Sequence, residues 1–285
     1  MANTRFMYVR QFEEDPACLR NTYMVVRLDG RGFTKFTKAH GFAKPNDVRA
    51  LALMNRAALD VAKQFSEIFV AFGQSDEYSF AFRRDAQVFG RRQSKILSTI
   101  VSLFSAAYVF YWAEEMGKDC PLTTIPQFDG RIVIYPSLTN LADYFRWRQA
   151  DCHINNLYNT VFWALVNKGG YDERAAEQKL SGTVSKDKHE IMFSQFGINY
   201  NNEPAMFRKG SLILRHDLDD QGFPKPVGED APAADAAVGE TSMAGLEQER
   251  PKRKKQRAKA RVAGPPQVLH VDFMKDAFWD ALADY

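Results

Sequence analysis

Cysteine is scarce in this 285-residue sequence: there are three, and none has a CxxC or a paired Cys/His spacing. Neither a disulfide framework nor a structural zinc site is therefore indicated. The N-terminal stretch also lacks the apolar core of a secretory signal peptide, because charged residues such as Arg5, Arg10 and Glu13 interrupt it. These absences argue against secretion and favour a reducing compartment, so we expect a cytoplasmic protein.

Long uncharged runs are equally rare, and the longest covers residues 96–113. Its length approaches that of a short membrane span. Hydroxyl residues interrupt it, however, and Ser98, Ser102 and Ser105 recur at i, i+4 and i+7, which places them on one face of a helix. We predict a buried helix of a globular protein, with this serine face close against a sheet, and no membrane partner.

The charge is unevenly distributed. The total is +3, yet residues 250–261 alone hold eight Lys and Arg, which leaves −5 for the remainder. A nucleic acid would therefore have to be bound by local basic patches, because phosphate affinity depends on cations placed along the backbone path. The basic segment is open to three interpretations: a nuclear signal, a loose RNA tether or a plain disordered segment.

The order of patterns in the first half of the chain is strand, helix, strand, strand, helix, strand. This order is typical of the split βαββαβ (ferredoxin-like) fold, an α+β architecture in which an antiparallel four-stranded sheet carries both helices on one face. Further helices, a strand and a C-terminal helix follow. The predicted strands span residues 22–29, 67–72, 78–82, 130–135 and 209–215, and the predicted helices span residues 45–65, 90–116, 138–166, 172–180, 185–196 and 269–285.

Composition divides the chain into four parts. Residues 1–137 contain the split sheet, and residues 138–216 form a mainly helical second domain. Residues 217–268 are rich in Ala, Pro, Gly and charge, so we expect a disordered linker with an acidic first half and a basic second half. Residues 269–285 hold enough large apolar side chains to dock back on the fold as a helix.

Acidic residues stand at the ends of two strands that the split fold makes neighbours. Asp29 ends the first strand before Gly30, and Asp76 and Glu77 occupy the tip of the hairpin that precedes the third strand. Carboxylates that meet there would repel each other unless a cation lay between them, and hard oxygen ligands suit Mg²⁺. A carboxylate pair that bridges two Mg²⁺ ions is what in-line phosphoryl transfer requires.

Three segments resemble the signatures of the tRNA-His guanylyltransferase family, in the same order and spacing. They are RLDGRGFT at residues 27–34, FGQSDEYSF at 72–80 and HINNLYNT at 153–160. The resemblance covers about residues 1–217 and returns weakly at Phe278 and Trp279. It implies a polymerase-type palm and a homotetramer. It also implies that ATP adenylylates the 5′-phosphate of tRNA-His, that the 3′-hydroxyl of GTP displaces AMP, and that pyrophosphate is then removed.

The resemblance assigns the metal and nucleotide site. Asp29 and Asp76 would bind two Mg²⁺ ions, with the carbonyl of Gly30 completing one coordination shell. Glu77 is a third catalytic candidate: a metal ligand, a residue that supports the ligands, or a merely exposed side chain. The nucleotide pocket would be formed by Asp29, Gly30, Arg31, Gly32, Phe33, Thr34, Ser75 and Asp76.

Charge adds two further candidates. Arg92 and Lys95 begin the second long helix, so the positive end of the helix dipole would help them to bind a triphosphate. The alternative is that both are simply exposed residues of a first helical turn.

Contacts to tRNA are assigned to amide, imidazole and ammonium groups. His153, Asn155 and Asn156 lie together on a predicted helix and suit RNA phosphate, sugar or base edges. The alternative is a polar network that joins the two domains. Weaker candidates for tRNA contact are Lys44, Asn46, Lys188, His189 and Lys209. Two other functions are weighed against guanylyl transfer: a nucleotidyl cyclase, which needs no RNA, and a catalytically silent tRNA-binding protein.

Overall fold

A six-stranded antiparallel sheet forms the centre of the protein. The computed structural model describes residues 4–220, 222–225 and 264–283, so most of the expected linker, including the basic segment 250–261, lies outside the described residues. The strands are β1 (Tyr23–Gly30), β2 (Ile68–Gln74), β3 (Glu77–Phe82), β4 (Phe128–Tyr135), β5 (Ser211–Leu214) and β6 (Gln267–Leu269). Their order across the sheet is β4-β1-β3-β2-β5-β6.

The predicted split βαββαβ arrangement is confirmed. β1 lies between β3 and β4, and its register places Asp29 opposite Glu77 on one side and opposite Asp129 on the other. The helices are α1 (Phe33–Ala39), α2 (Val48–Gln64), α3 (Gln93–Met116), α4 (Leu138–Asn167), α5 (Glu173–Leu180), α6 (Ser185–Phe196), α7 (Ala205–Lys209) and α8 (Asp276–Asp280). The short helix α1, directly after the first strand, was not predicted from the sequence.

The helices α2 and α3 cover one face of the sheet with apolar side chains. Asp47 caps α2 by accepting a hydrogen bond from the backbone N–H of Arg49. The α2 residues that recur at helical spacing are buried: Leu53, Met54, Ala57, Ala58, Val61 and Ala62. They share one core with the α3 side chains Ile96, Ile100, Phe104, Tyr108 and Trp112 and with the inner face of β1 and β3.

The serine face of α3 does not lie against the sheet, so this prediction is wrong. Ser98 and Ser102 are exposed, because burying the large apolar residues on the other faces of α3 removes more apolar area from water. The close approach of α3 to the sheet occurs at Gly130 instead, where an added Cβ would lie 2.7 Å from the side chain of Val101. Among the described residues α3 is the one helix long and apolar enough to cross a membrane by length and composition.

Helix α4 crosses the opposite face of the sheet. Its 30 residues span about 45 Å. The N-terminal half packs on the sheet through Tyr144 and Phe145, and the C-terminal half packs on α5 and α6 through Leu157 and Leu165. The same helix therefore contributes to both predicted domains, whose boundaries at 137 and 216 stay predictions.

The C-terminal segment docks beside α4, but as a strand followed by a short helix rather than the predicted long helix. Phe273, Phe278 and Trp279 are buried, and the ring of Trp279 stacks on Phe145 with a centroid separation of 5.6 Å. Gln149 of α4 holds the chain extended by accepting a hydrogen bond from the N–H of Phe273 and donating to two backbone carbonyls. The bonds to Val271 and Phe273 compete with helix formation over residues 269–275.

A buried guanidinium ties the end of the N-terminal segment to the sheet. Arg91 is 1% exposed, and it donates hydrogen bonds to the carbonyl oxygens of Cys18, Leu19, Thr22 and Ala86 at 2.6 to 3.3 Å. Replacing Arg91 by methionine keeps an apolar stem but leaves these buried acceptors without a donor. Each such acceptor costs about 1–3 kcal/mol.

We therefore expect Arg91→Met to lower the free energy of unfolding by about 3 kcal/mol or more, measured by urea denaturation. Arg20→Met, at an exposed arginine nearby in the chain, is the matched control and is expected to change stability by less than about 0.5 kcal/mol. Equal stability of the two variants would contradict the assigned role of Arg91.

Candidate active site

A cavity of about 440 Å³ opens where the end of β1, the β2–β3 hairpin, the N-terminus of α2 and the middle of α4 meet. The predicted residues that line it are Asp29, Phe33, Thr34, Ser75 and Asp76 from the nucleotide set, and Lys44, Asn46, Asn155 and Asn156 from the tRNA set. Two loops and two helices that are distant in the chain thus place one set of polar groups around one space.

The two predicted metal-binding aspartates lie close together where β1 ends and the β2–β3 hairpin turns. The N–H of Gly30 donates to the carbonyl oxygen of Asp76 at 3.0 Å, and Oδ2 of Asp76 would lie 2.8 Å from a Cβ added at Gly30. Burial raises the pKa of Asp76, and the negative charges of Asp29 and Glu77 raise it further. A bound cation would offset these costs, as expected of a carboxylate that holds a metal.

Glu77 is not exposed. Its Oε2 lies 2.5 Å from Nη2 of Arg27, and Nη1 of Arg148 donates to both of its oxygens at 3.0 and 3.1 Å. Both carboxylate oxygens are therefore engaged by guanidinium groups. This geometry supports a role in orienting the neighbouring side chains, and the alternative of an exposed Glu77 is wrong.

The donor set fits Mg²⁺. Within residues 4–220, 222–225 and 264–283, no group of three or more His, Cys, Asp or Glu side chains is gathered as a metal site. Mg²⁺ does not require one, because it keeps several waters and is usually held by one or two carboxylates together with substrate phosphates. Asp29 and Asp76, with the adjacent backbone of Gly30, supply such a partial set.

The rest of the predicted nucleotide set forms the turn and helix after β1. Gly30, Arg31 and Gly32 make the turn, in which the N–H of Arg31 donates to the carbonyl of Gln127 and Gly32 adopts a positive φ of 69°. Phe33 then begins α1. The turn thus sets the start of α1, and α1 places Phe33 and Thr34 in the cavity wall.

Arg92 and Lys95 do not line this cavity. Arg92 bonds to Asp15 at 3.0 Å, and the ammonium group of Lys95 lies over the ring of Phe89. Phe89 in turn contacts Phe65, just beyond the C-terminal end of α2, whereas the cavity lies at its N-terminal end. The 17 residues of α2 separate the two places by about 25 Å.

The N-terminus of α2, like that of α1, reaches the cavity. Lys44, Asn46 and Asp47 precede or cap this helix and line the space. Burial raises the pKa of Asp47, but hydrogen bonds from Arg49 and from the N–H of Ala43 outweigh it and hold this pKa below its ordinary value. Among the described residues that line the cavity, Lys44 is the only Lys or Arg, so it is the candidate for a phosphate contact there.

Two of the predicted tRNA contacts belong to a polar network that joins the two parts of the protein. Asn46 donates to Oδ1 of Asn156, and Asn156 donates to Oη of Tyr200, both at 2.9 Å. The ring of Tyr200 lies between the imidazoles of His153 and His189, at centroid distances of 5.5 and 5.4 Å. The alternative of a network between domains is thus what the structure shows for Asn46 and Asn156.

Four of the tRNA candidates lie outside the cavity wall: His153, Lys188, His189 and Lys209. His153 is exposed at the surface of α4, although partial burial of its ring, followed by the charges of His189 and Arg208, lowers its pKa. His189 lines a second, smaller groove beside Tyr200. Lys188 donates to the carbonyl of Thr183 at 2.8 Å, and Lys209 lies 3.5 Å from Asp272. A tRNA contact for these groups stays a prediction.

Sequence reasoning missed the charged residues that α4 brings to the site. Arg148 is buried against Glu77, and Asp151 lines the cavity and accepts a hydrogen bond from Gln74 at 3.2 Å. The available signal was a charged residue inside the apolar stripe of α4, beside the buried Phe145 and Cys152. A charge at such a position is rarely found without a buried partner.

Comparisons with known proteins agree over nearly the whole chain. A family described as tRNAHis guanylyltransferase matches residues 6–136, and one described as the Thg1 C terminal domain matches residues 139–275. The tRNA(His) guanylyltransferase of Neurospora crassa is 51% identical over 284 residues, covering 98% of this chain and 94% of its own. The enzyme of that name from Schizosaccharomyces pombe is 52% identical over 78% of this chain and 84% of its own.

Solved structures agree as well. The crystal structure of tRNA(His) guanylyltransferase from Saccharomyces cerevisiae aligns with a TM-score of 0.71 and 48% identity, over 73% of this chain and 92% of its own. A bacterial tRNA(His) guanylyltransferase (Thg1)-like protein in complex with ATP aligns with a TM-score of 0.61 and 25% identity, over 73% of this chain and 86% of its own.

Proposed function

The chain belongs to the tRNAHis guanylyltransferase family, and we propose that the Asp29–Asp76 cavity is where it adds guanosine to the 5′ end of tRNA-His. It is a nucleotidyltransferase, and its substrates are ATP, GTP and tRNA-His. The observation that carries the assignment to this cavity is the pair of adjacent carboxylates at the junction of β1 and β3, which line the same cavity as Lys44.

We infer that two Mg²⁺ ions are held by the carboxylates of Asp29 and Asp76 and the carbonyl of Gly30. When bound, the ions would make the attacking hydroxyl more acidic and neutralise triphosphate charge. The raised pKa of Asp76 and the absence of any other cation near its carboxylate, among the described residues, support this inference.

The protein's own groups position the reactants. Lys44 supplies positive charge for a triphosphate in the cavity wall, whereas the carboxylate of Asp47 already caps the N-terminus of α2. The side chains of Ser75, from the β2–β3 hairpin, and Asn155, from α4, supply hydrogen-bonding groups to the cavity. Holding two substrates in fixed orientation accounts for a large part of the rate of such a transfer.

The bond changes follow from the substrates. An oxygen of the tRNA 5′-phosphate attacks the α-phosphorus of ATP and releases pyrophosphate, which leaves an adenylylated end. The 3′-hydroxyl of GTP then attacks the 5′-phosphorus and releases AMP, so that a new phosphodiester joins guanosine to the tRNA. Hydrolysis finally removes pyrophosphate from the added nucleotide.

The experiment is an incubation of the protein with 5′-monophosphorylated tRNA-His, ATP, Mg²⁺ and GTP labelled in its α-phosphate. The expected result is label at the 5′ end of the tRNA that depends on ATP. A cyclic nucleotide formed from GTP alone would instead establish a cyclase, and tRNA binding without transfer would establish a silent binding protein.

We further propose that the chain assembles as a homotetramer. The short helical segment Met7–Phe12 supports an assembly, because it carries large aromatic side chains but none of its residues is buried. Tyr8 and Phe12 are 58% and 78% exposed. Size-exclusion chromatography with multi-angle light scattering at micromolar concentration is expected to show a species of four chains, and a monomer would contradict the proposal.

A further inference from the structure

We propose that Arg148 of α4 is a positioning residue that fixes the carboxylate of Asp29 through Glu77 and Arg27. The inference rests on the proposed function, since it concerns how the second half of the protein completes the metal and nucleotide site of the first half. Arg148 does not line the cavity, so it would act only through the groups that it contacts.

The contacts form an ion-pair chain of alternating charge: Asp29, Arg27, Glu77, Arg148 and Asp151. Nη2 of Arg27 lies 3.0 Å from Oδ2 of Asp29 and 2.5 Å from Oε2 of Glu77. Nη1 of Arg148 lies 3.0 Å from the same oxygen of Glu77 and 3.5 Å from Oδ2 of Asp151. The two ends of the chain, Asp29 and Asp151, both line the cavity.

Burial makes the middle of the ion-pair chain rigid. The side chains of Glu77 and Arg148 are 8% and 4% exposed, against 35% for Asp29. A buried charge whose partner is removed is strongly destabilised, so neither of the two central groups can turn away without cost. The guanidinium of Arg148 is further held by Trp147, with its Cζ 3.6 Å from the ring centroid.

The position of Asp29 depends on how Arg27 is shared. Arg27 bonds to Asp29 and Glu77 through the two hydrogens of one nitrogen, Nη2, so a movement of this group toward one carboxylate weakens its hydrogen bond to the other. Arg148 satisfies both oxygens of Glu77, which limits the pull of Glu77 on Arg27. Without Arg148 the buried Glu77 would draw Arg27 to itself, and Asp29 would lose the hydrogen bond that orients it.

The ion-pair chain also connects the two regions that match family descriptions. Asp29, Arg27 and Glu77 come from the part that matches the guanylyltransferase description, whereas Arg148 and Asp151 come from the part that matches the C-terminal domain. The second region therefore helps to hold the carboxylate of Asp29 in place. Partners of this kind are typically worth 10- to 100-fold in metal affinity or activity.

The test measures Mn²⁺ affinity by electron paramagnetic resonance in the presence of GTP, for the full chain and for Arg148→Met. We expect the variant to bind Mn²⁺ about tenfold more weakly and to transfer guanosine at a kcat lowered about 100-fold. Arg148→Lys, which can reach one carboxylate oxygen, should fall between the two. Arg146→Met is the matched control, because Arg146 lies on α4 like Arg148 but pairs with Asp143 of α4 and Asp276 of α8 rather than with Glu77.

A second background separates positioning from a general loss of stability. If Arg148 acts through Glu77, Arg148→Met should change Mn²⁺ affinity less than about twofold when Glu77→Gln is already present. An unchanged affinity in Arg148→Met, or an equal loss in both backgrounds, would overturn the proposal. Circular dichroism at the assay temperature confirms that each compared variant is folded, and the double variant serves if Arg148→Met alone is not.

Failure of the proposed function would look different. Asp29→Asn is measured in the same titration, and wild-type Mn²⁺ affinity in that variant would show that the metal is not held at Asp29. A lowered affinity in Asp29→Asn together with wild-type affinity in Arg148→Met would leave the site in place and reject the role of Arg148 alone.

Discussion

Replacing Asp76 by asparagine is expected to lower guanosine transfer at least about 1,000-fold without unfolding the protein. Asparagine has nearly the same shape but lacks the negative charge, so it cannot supply the electrostatic attraction that holds a divalent cation next to a triphosphate. A loss of this size corresponds to about 4 kcal/mol of transition-state stabilisation. The measurement is the single-turnover rate with labelled GTP and 5′-monophosphorylated tRNA-His.

The stability of the same variant is a second, independent readout. Asp76 is partly buried beside Asp29 and Glu77, so removing its charge removes repulsion from the folded state. The melting temperature of Asp76→Asn is expected to equal or exceed that of the unchanged protein. Asp85→Asn is the matched control, because Asp85 follows the far end of β3 and is 79% exposed, and its rate should stay within about twofold. A variant that loses activity only because it melts would contradict this account.

Gly30→Ala is expected to lower transfer about 100-fold and the free energy of unfolding by about 1–3 kcal/mol. An added Cβ would lie 2.4 Å from the ring of Phe33 and 2.8 Å from Oδ2 of Asp76. The ring cannot move away freely, because it is 6% exposed and packs against Phe36 and Phe128. The methyl group would therefore displace the carboxylate of Asp76 or disrupt the start of α1.

Gly182→Ala is the control for the general effect of adding a methyl group to a glycine. Gly182 has a φ of 75° and open space around its Cα, so alanine there costs only backbone strain of about 1 kcal/mol. Its transfer rate should stay unchanged. Activity within twofold of normal in Gly30→Ala would contradict the close contact of Gly30 with Asp76 and Phe33.

The sheet and its acidic edge were predictable because both follow from local patterns. Alternating or continuous apolar runs fix the strands, and the short polar hairpin between β2 and β3 fixes their antiparallel pairing. Once the order is βαββαβ, the first and third strands are neighbours, and Asp29 must lie near Asp76. The carboxylate pair therefore follows from chain order and strand adjacency, without any tertiary detail.

Contacts made by single side chains across the fold were not predictable. The serine face of α3 could be assigned to the sheet or to solvent by the same spacing, and only the packing of Ile100 and Phe104 decides it. Arg92 and Lys95 were placed near a triphosphate because they begin a helix, yet the helices whose N-termini reach the cavity are α1 and α2. The sequence distance between Glu77 and Arg148 similarly hides their ion pair.

The most direct test of the metal site is a crystal structure with Mn²⁺ and a non-hydrolysable GTP analogue, in which anomalous scattering locates the ions. The account predicts peaks about 2.0–2.3 Å from carboxylate oxygens of both Asp29 and Asp76, with the triphosphate directed toward Lys44. Anomalous peaks that lie elsewhere, or that contact neither aspartate, would contradict it.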